Sequence, residues 1–244
     1  MFYFENIDNK QVLKSDLIKN INTFFTTKDT IIQSKNTELN DTIIENKNLI
    51  KNYLKIDKLI SPIQTHSDNI VIVDSKFDEY PDTDALILTQ SSIGIFLNFA
   101  DCTPIILYDE KQNIGAIAHA GWRGTAQNIV SKTVQKMIDE FKTNPQDVKA
   151  LIGPAISICC YNVGEEVLEK LSQTVTDFSG LSKKIEDKIF VDLKNINKRQ
   201  LEDIGVKQID VCPYCTVCNN DKFFSYRKEN ATTNRHSAVL ALSN

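Results

Sequence analysis

The stretch "ADCTPIILYDEKQNIGAIAHAGWRGTAQNIV", residues 100–130, contains two apolar runs separated by a short polar connection. The runs "IILY" (105–108) and "IGAIA" (114–118) have the composition of strands, and "DEKQN" between them has the length of a hairpin loop. Cys102 would then precede one strand, and His119 would follow its partner. The pattern predicts an antiparallel pair that brings a thiol and an imidazole to the same open end.

The residues that follow this hairpin predict a turn and then a helix. Apolar side chains recur at helical spacing from Val130 to Phe141, and Thr125 is a good candidate for the N-cap. Gly121 and Gly124 relieve the turn before it. Such a turn directs free N–H groups and the positive end of a helix dipole toward an anion. Phosphate is one candidate ligand, and an ordinary helix cap is the alternative.

Shorter apolar runs elsewhere indicate further strands and a mixed α/β fold. The segment "NKNLIKNYLKI" (46–56) predicts a short amphipathic helix. Neither an internal repeat nor a low-complexity linker divides the chain, so we expect one compact domain over residues 1–244. The other predicted strands are 70–73, 85–88, 93–97, 150–152, 189–193, 209–212, 223–226 and 238–242.

Composition limits the functional classes. The chain has 244 residues, of which 41% are hydrophobic, so it can bury a full-sized core. Its formal net charge of −4 gives no general attraction for nucleic acid or an anionic membrane, and neither is an expected partner. The sequence has no secretory signal pattern and no apolar run long enough for a membrane span, so we expect a soluble, cytoplasmic protein with reduced thiols.

The three histidines are few enough to be informative, and two of them stand beside turn-like sequence at predicted strand ends. His66, Cys102 and His119 are 36 and 17 residues apart. Ligands from separate loops are typical of a catalytic zinc ion, which keeps three protein ligands and an open position. Two alternatives stay open: ordinary packed side chains, or a Cys102 nucleophile with His119 as its base.

The remaining cysteines form two groups. The segment "CPYCTVC" places Cys212, Cys215 and Cys218 at the spacing of part of a zinc or iron–sulfur knuckle. A fourth ligand is not evident from the sequence, which favours structural or incidental thiols over a second metal site. We interpret the adjacent pair Cys159 and Cys160 as packed thiols, because a disulfide between neighbours strains the backbone.

Five segments together resemble the laccase-domain family, also called multicopper polyphenol oxidase-type proteins. They are "IQTHSDNI", "ADCTPIILYD", "GAIAHAGWRGT", "IGPAISICCYNVGEEV" and "FFSYRKENATTNRHSAVLAL", and they span about residues 60–242. The resemblance implies a mixed-sheet α/β sandwich with a metal site in a surface cleft. It also implies that His66, Cys102 and His119 bind zinc, with copper as an alternative metal.

Four residues near the implied ligands or in turn-like segments are candidate substrate contacts. Gln64 and Asp101 lie beside the implied ligands and would contact substrate or orient the ligands. Arg123 and Arg227 are candidates for binding phosphate. Two features depart from the family pattern: Ser67 follows the first ligand His in place of a Gly, and residues 1–59 lack the expected Arg and Gly-rich loop.

The resemblance implies a zinc-dependent purine nucleoside phosphorylase that acts on adenosine, inosine, guanosine or methylthioadenosine and also deaminates adenosine. Its partners would be purine nucleosides and phosphate. Three alternatives stay open: an enzyme that edits peptidoglycan precursors, a copper-dependent polyphenol oxidase, or a non-catalytic metal-binding protein. True multicopper chemistry needs many more imidazoles than the three in this chain, although one copper ion on the zinc ligands is not excluded.

Overall fold

A computed structural model of the protein describes residues 1–243, which form three sheets and five α-helices. The first sheet has the spatial order β1 (Phe2–Ile7), β2 (Lys10–Ser15), β3 (Asn22–Thr26), β15 (His236–Ala241), β7 (Ile93–Phe99) and β4 (Lys58–Ile60). The second has the order β14 (Gln208–Val211), β10 (Val148–Ile152), β8 (Thr103–Asp109), β9 (Ile114–Ala120), β6 (Ala85–Leu88) and β5 (Ile70–Ile72). The third contains β11 (Asn162–Val163), β13 (Lys188–Val191) and β12 (Ser182–Ile185). The helices are α1 (Asn40–Leu54), α2 (Trp122–Ala126), α3 (Ile129–Phe141), α4 (Glu165–Ser172) and α5 (Leu193–Asp203).

The two six-stranded sheets pack face to face, which confirms the predicted mixed α/β fold. One core cluster contains Phe25 and Leu97 from the first sheet and Ile106 and Ile117 from the second. The outer face of the second sheet is covered by α3 and α5, and that of the first sheet by α1. Because β8 and β9 are buried along their whole length, their sequences are continuous apolar runs rather than alternating ones.

The predicted hairpin is present and places the two candidate ligands at one end. Strands β8 and β9 pair in antiparallel register, with Thr103 opposite Ala120 and Asp109 opposite Ile114. Since β8 extends one residue further than predicted, the connecting loop is residues 110–113. Cys102 stands directly before β8, while His119 lies inside β9 rather than beyond its end.

The prediction of one helix that starts near Thr125 is wrong. The structure has two helices, α2 and α3, separated at Asn128, whose positive φ of 58° interrupts the helical path. Thr125 is buried within α2, and Gly121 is the N-cap. The Thr125 hydroxyl instead accepts a hydrogen bond from the Asn197 amide of α5 at 2.9 Å. Its polar atom is therefore used to join two helices rather than to cap one.

The strand predicted at residues 223–226 is also wrong. Phe223 and Phe224 are buried, but their backbone forms turns: the Phe223 N–H donates to the Asn219 carbonyl, and the Ser225 N–H donates to the Glu229 carboxylate. An apolar run indicates that its residues are buried, but it does not by itself specify their backbone conformation. Among residues 1–243, no helix combines the length and the apolar composition that a bilayer crossing requires.

Candidate metal centre

Three donor side chains converge at the open end of the β8–β9 hairpin. The Cys102 Sγ lies 3.8 Å from the His66 Nε2, and the His66 and His119 ring centroids are 4.8 Å apart. Each of the three residues offers a ligand atom within 4.8 Å of the other two. We call this group, His66, Cys102 and His119, the His–Cys–His centre. His66 is exposed and His119 is buried, so the centre is accessible from one side.

The backbone around the centre adopts conformations that bring the donors close together. His66 and Asp101, the residue before Cys102, have positive φ angles of 65° and 86°, which non-glycine residues rarely adopt. A Cβ on Gly121 would lie 2.9 Å from the Cys102 Sγ and 3.2 Å from the His66 ring. Only glycine therefore leaves room for the thiol and the imidazole to approach each other at this turn.

Asp84, which the sequence interpretation missed, orients both histidines. Its Oδ1 lies 2.7 Å from the His119 Nδ1, which leaves the Nε2 of that ring free for the centre. Its Oδ2 accepts hydrogen bonds from the N–H groups of Thr65 and Ser67 at 3.1 and 2.7 Å, and these residues flank His66. Ser67, where a glycine was expected, adds its hydroxyl to the same oxygen at 2.9 Å. The signal in the sequence is an Asp at the start of the apolar run "ALIL", since metal-binding histidines usually need a carboxylate partner.

The electrostatics of the site favour a thiolate. Burial raises the pKa of the Cys102 thiol, but the charge of His119 and hydrogen bonds to both histidines outweigh it and lower the pKa to about 6. Burial alone would lower the pKa of His119, yet the Cys102 thiolate and Asp84 raise it to about 9. Burial also opposes ionisation of Asp84, whose hydrogen bond to His119 nevertheless lowers its pKa to about 2. One thiolate and two imidazoles form a donor set that suits a zinc or copper ion.

The centre lies in the wall of a cavity of about 770 Å³. The predicted substrate contacts Gln64, Asp101, Arg123 and Arg227 all line the same cavity. The Arg123 guanidinium lies 4.4 Å from the Trp122 ring centroid. Both arginines are exposed to the cavity, where they can reach a bound anion.

Gln64 and Asp101 use their polar atoms to hold the cavity wall. The Gln64 amide donates to the Asn98 carbonyl at 3.0 Å and accepts from the Asn98 N–H at 2.8 Å. The Asp101 carboxylate accepts from the Thr216 hydroxyl at 2.6 Å and from the Arg227 N–H at 2.7 Å. Neither set of contacts reaches a donor atom of the centre, so the two alternatives that the sequence left open for these residues, substrate contact or ligand orientation, stay predictions.

The charged lining of the cavity is mainly cationic, although the protein is acidic overall. Three of the four arginines in the chain line it, and the third of these, Arg235, was not predicted. Within residues 1–243, no carboxylate oxygen lies within 4 Å of these three guanidinium groups. Lys35 adds a fourth positive charge, whereas Asp101 supplies the negative one. Arg235 stands just before β15, and its position at a strand end was the available signal.

The cavity lining also contains apolar and aromatic side chains. Ile63 and Tyr226 line the cavity with 54% of their surface exposed, and Trp122 and Tyr161 are further lining residues. Burial, followed by the nearby Cys102 thiolate, raises the pKa of Tyr161 to about 12, so its phenol stays neutral. The cavity can therefore hold a ligand that combines a planar apolar part with an anionic part.

The chain is similar in sequence and in fold to several known proteins. A sequence model described as multi-copper polyphenol oxidoreductase laccase matches residues 30–243. A Clostridium acetobutylicum protein named purine nucleoside phosphorylase is 35% identical over 204 residues, 82% of each chain. An adenosine deaminase from an unknown prokaryotic organism is 32% identical over 186 residues, 71% of each chain. The crystal structure of the Bacillus licheniformis hypothetical protein YfiH matches with a TM-score of 0.90 at 28% identity, covering 98% of this chain and 99% of that one.

Proposed function

This chain belongs to the multi-copper polyphenol oxidoreductase laccase family, and from that premise we propose that it is a zinc-dependent purine nucleoside phosphorylase that also deaminates adenosine. The observation that carries the proposal is the His–Cys–His centre in a cavity lined by three arginines without carboxylate partners among residues 1–243. The names of the two relatives support nucleoside chemistry of both kinds.

The donor set supports a metal with an open position. Cys102, His66 and the Nε2 of His119 would hold the ion, and Asp84 keeps the His119 ring in the required orientation. A divalent ion bound there supplies Lewis acidity and lowers the pKa of a bound water. Two imidazoles beside one thiolate favour ligation over a Cys102 nucleophile, which needs only one base.

The two kinds of lining residue would bind different parts of the substrates. Phosphorolysis requires a phosphate oxygen to bond to C1′ of the ribose while the bond from C1′ to the purine nitrogen breaks. Arg123, Arg227 and Arg235 would bind the phosphate, since guanidinium groups form paired hydrogen bonds with its oxygens. Ile63 and Tyr226 would contact the planar base.

The number of histidines argues against laccase chemistry for this chain, despite the description of its family. A multicopper oxidase needs a three-copper cluster held mainly by imidazoles, and the chain has three histidines in all. The third histidine, His236, is buried and is not part of the His–Cys–His centre. Its ring centroid lies 6.3 Å from that of Phe99, which in turn lies 5.3 Å from that of His119. A single copper ion on the zinc donors is the remaining route to oxidase activity.

The decisive experiment incubates the purified protein with adenosine, inosine, guanosine or methylthioadenosine, with and without phosphate. We expect free base only when phosphate is present, and inosine from adenosine in either case. Absence of all of these products in a zinc-loaded protein would contradict the proposal and favour peptidoglycan editing or a non-catalytic metal-binding role. Oxidation of a polyphenol by the zinc-loaded protein would also contradict it.

A further inference from the structure

A second group of potential metal ligands lies outside the His–Cys–His centre. Each of its four thiols offers a sulfur within 4.8 Å of the other three. The Cys218 Sγ lies 3.6 Å from the Cys159 Sγ and 3.5 Å from the Cys160 Sγ. We call this group, Cys159, Cys160, Cys215 and Cys218, the cysteine cluster.

The sequence lacked an evident fourth ligand for the "CPYCTVC" segment, and the fold brings two thiols from another segment to two thiols of this one. Cys215 and Cys218 belong to one turn, and the adjacent pair 159–160 belongs to another turn after β10. A parallel bridge between Ala155 and Cys215 aligns the two segments. Cys212, in contrast, is buried in the main core and is not part of the cluster.

Two sulfur–sulfur distances in the cluster fit one tetrahedral ion. Thiolates at about 2.3 Å from a zinc ion lie about 3.8 Å from one another. The observed 3.5 and 3.6 Å are close to that value and far longer than a disulfide bond of about 2.05 Å. An iron–sulfur cluster places several irons and sulfides between its thiolates and needs wider spacing than this.

The surroundings supply hydrogen bonds and positive charge to the thiolates. The Ser157 N–H donates a hydrogen bond to the Cys215 Sγ at 3.4 Å. Lys194 is buried nearby and donates to the Cys212 carbonyl at 2.7 Å. Among residues 1–243, no carboxylate oxygen lies within 4 Å of its ammonium group, which is unusual for a buried cation. Four thiolates around a divalent ion carry two net negative charges, which would compensate Lys194.

We infer that Cys159, Cys160, Cys215 and Cys218 form a closed, structural zinc site separate from the His–Cys–His centre. Four thiolates fill the tetrahedral coordination of zinc and leave no position for water or substrate. The ion would join the two turns. Thr216, within the same turn as Cys215, donates to Asp101 beside Cys102, so the site would also stabilise one wall of the cavity.

Metal analysis of the full-length protein tests this inference. We expect two zinc ions per chain in the wild type and in a Cys212→Ala control, which removes a thiol outside both sites. Cys218→Ser and Cys159→Ser should each retain only the zinc of the His–Cys–His centre. Cys102→Ser should retain only the zinc of the cysteine cluster. Cobalt substitution should give an intense thiolate-to-cobalt absorption that Cys218→Ser loses and Cys102→Ser largely keeps. Wild-type metal content in Cys218→Ser would overturn the inference, whatever activity the protein has.

A second measurement uses only the wild type, in case the variants do not fold. Cys159 and Cys218 are exposed, so both thiols should be alkylated in metal-free protein and protected by added zinc, as mapped by mass spectrometry. Equal labelling with and without zinc would overturn the inference. So would an intact mass that shows a disulfide within the cluster, or iron together with acid-labile sulfide.

Discussion

The His–Cys–His centre and the cysteine cluster both draw potential ligands from separate segments of the chain, but they differ in donors, number and support. The centre has three donors, two of them imidazoles, and opens into a cavity. The cluster has four thiols on two turns. Its support is backbone N–H groups and Lys194, whereas that of the centre is the Asp84 carboxylate. Both sites use cysteine, so the residue type alone does not separate an open donor set from a closed one. The number of donors and the groups that hydrogen-bond to them make the difference.

The largest expected effect comes from removing the thiolate of the centre. We expect Cys102→Ala to lose the zinc of the centre and to lower nucleoside turnover by roughly three orders of magnitude, because Lewis-acid catalysis contributes several kcal/mol. Cys212→Ala is the control, since it removes a thiol that belongs to neither site. Steady-state kinetics and metal analysis check both variants. Full activity in metal-free Cys102→Ala protein would refute the assignment of the centre as the reactive site.

A smaller effect is expected when the ligand orientation is weakened. Asp84→Asn should reduce zinc affinity at the centre by about 10- to 100-fold, because the His119 ring loses its carboxylate partner. The affinity of the cysteine cluster should not change. Asp82→Asn is a matched control two residues away that contacts Thr65 and Asn69 but not His119. Competition with a chromophoric chelator measures both affinities, and equal losses at the two sites would break the distinction between them.

Substitutions of the cavity arginines test whether the cavity binds an anion as well as the purine base. Arg227→Gln or Arg123→Gln should raise KM for phosphate by about tenfold, because a charged hydrogen bond contributes about 1.5–3 kcal/mol. KM for the nucleoside should change much less. Arg199→Gln is the control, since Arg199 pairs with Asp177 and Glu202 outside the cavity. An unchanged KM for phosphate in both cavity variants would remove these arginines from the anion site.

Alkylation rates of individual thiols allow the His–Cys–His centre and the cysteine cluster to be compared in one sample of metal-free protein. Cys102, whose pKa is lowered to about 6, should be mostly thiolate at pH 7 and should alkylate about tenfold more slowly at pH 5. Burial, the largest cause, raises the pKa of Cys159 to about 11, so its rate should increase with pH throughout the neutral range. Rates from mass spectrometry across pH 5 to 9 check the difference. Parallel pH profiles for the two thiols would contradict it.

The sequence predicted the hairpin and the convergence of His66, Cys102 and His119 better than the local geometry around them. Strands β8 and β9 are buried along both faces, so their apolar runs are unambiguous, and the ligands stand at the ends of such runs. The strand at 223–226 failed because two buried phenylalanines lie on turns. The helix start at Thr125 failed because its hydroxyl has a partner on α5, distant in sequence.

The groupings that the sequence did not predict at the two sites depend on contacts between distant segments. Asp84 and His119 are 35 residues apart and meet only because β6 pairs with β9. Cys159 and Cys218 are 59 residues apart and become neighbours through the bridge from Ala155 to Cys215. A motif specifies which residue types are available, and the sheet topology decides which of them meet.

The shared carboxylate of Asp84 has a consequence for anyone who wishes to redesign this protein for another metal. One of its oxygens fixes the ring of His119, and the other fixes the loop that carries His66. A change that shifts either imidazole to suit a different coordination geometry will disturb its counterpart through the same side chain. Altered metal preference should therefore require coordinated substitutions around both histidines, and libraries that vary one position at a time should yield few successes.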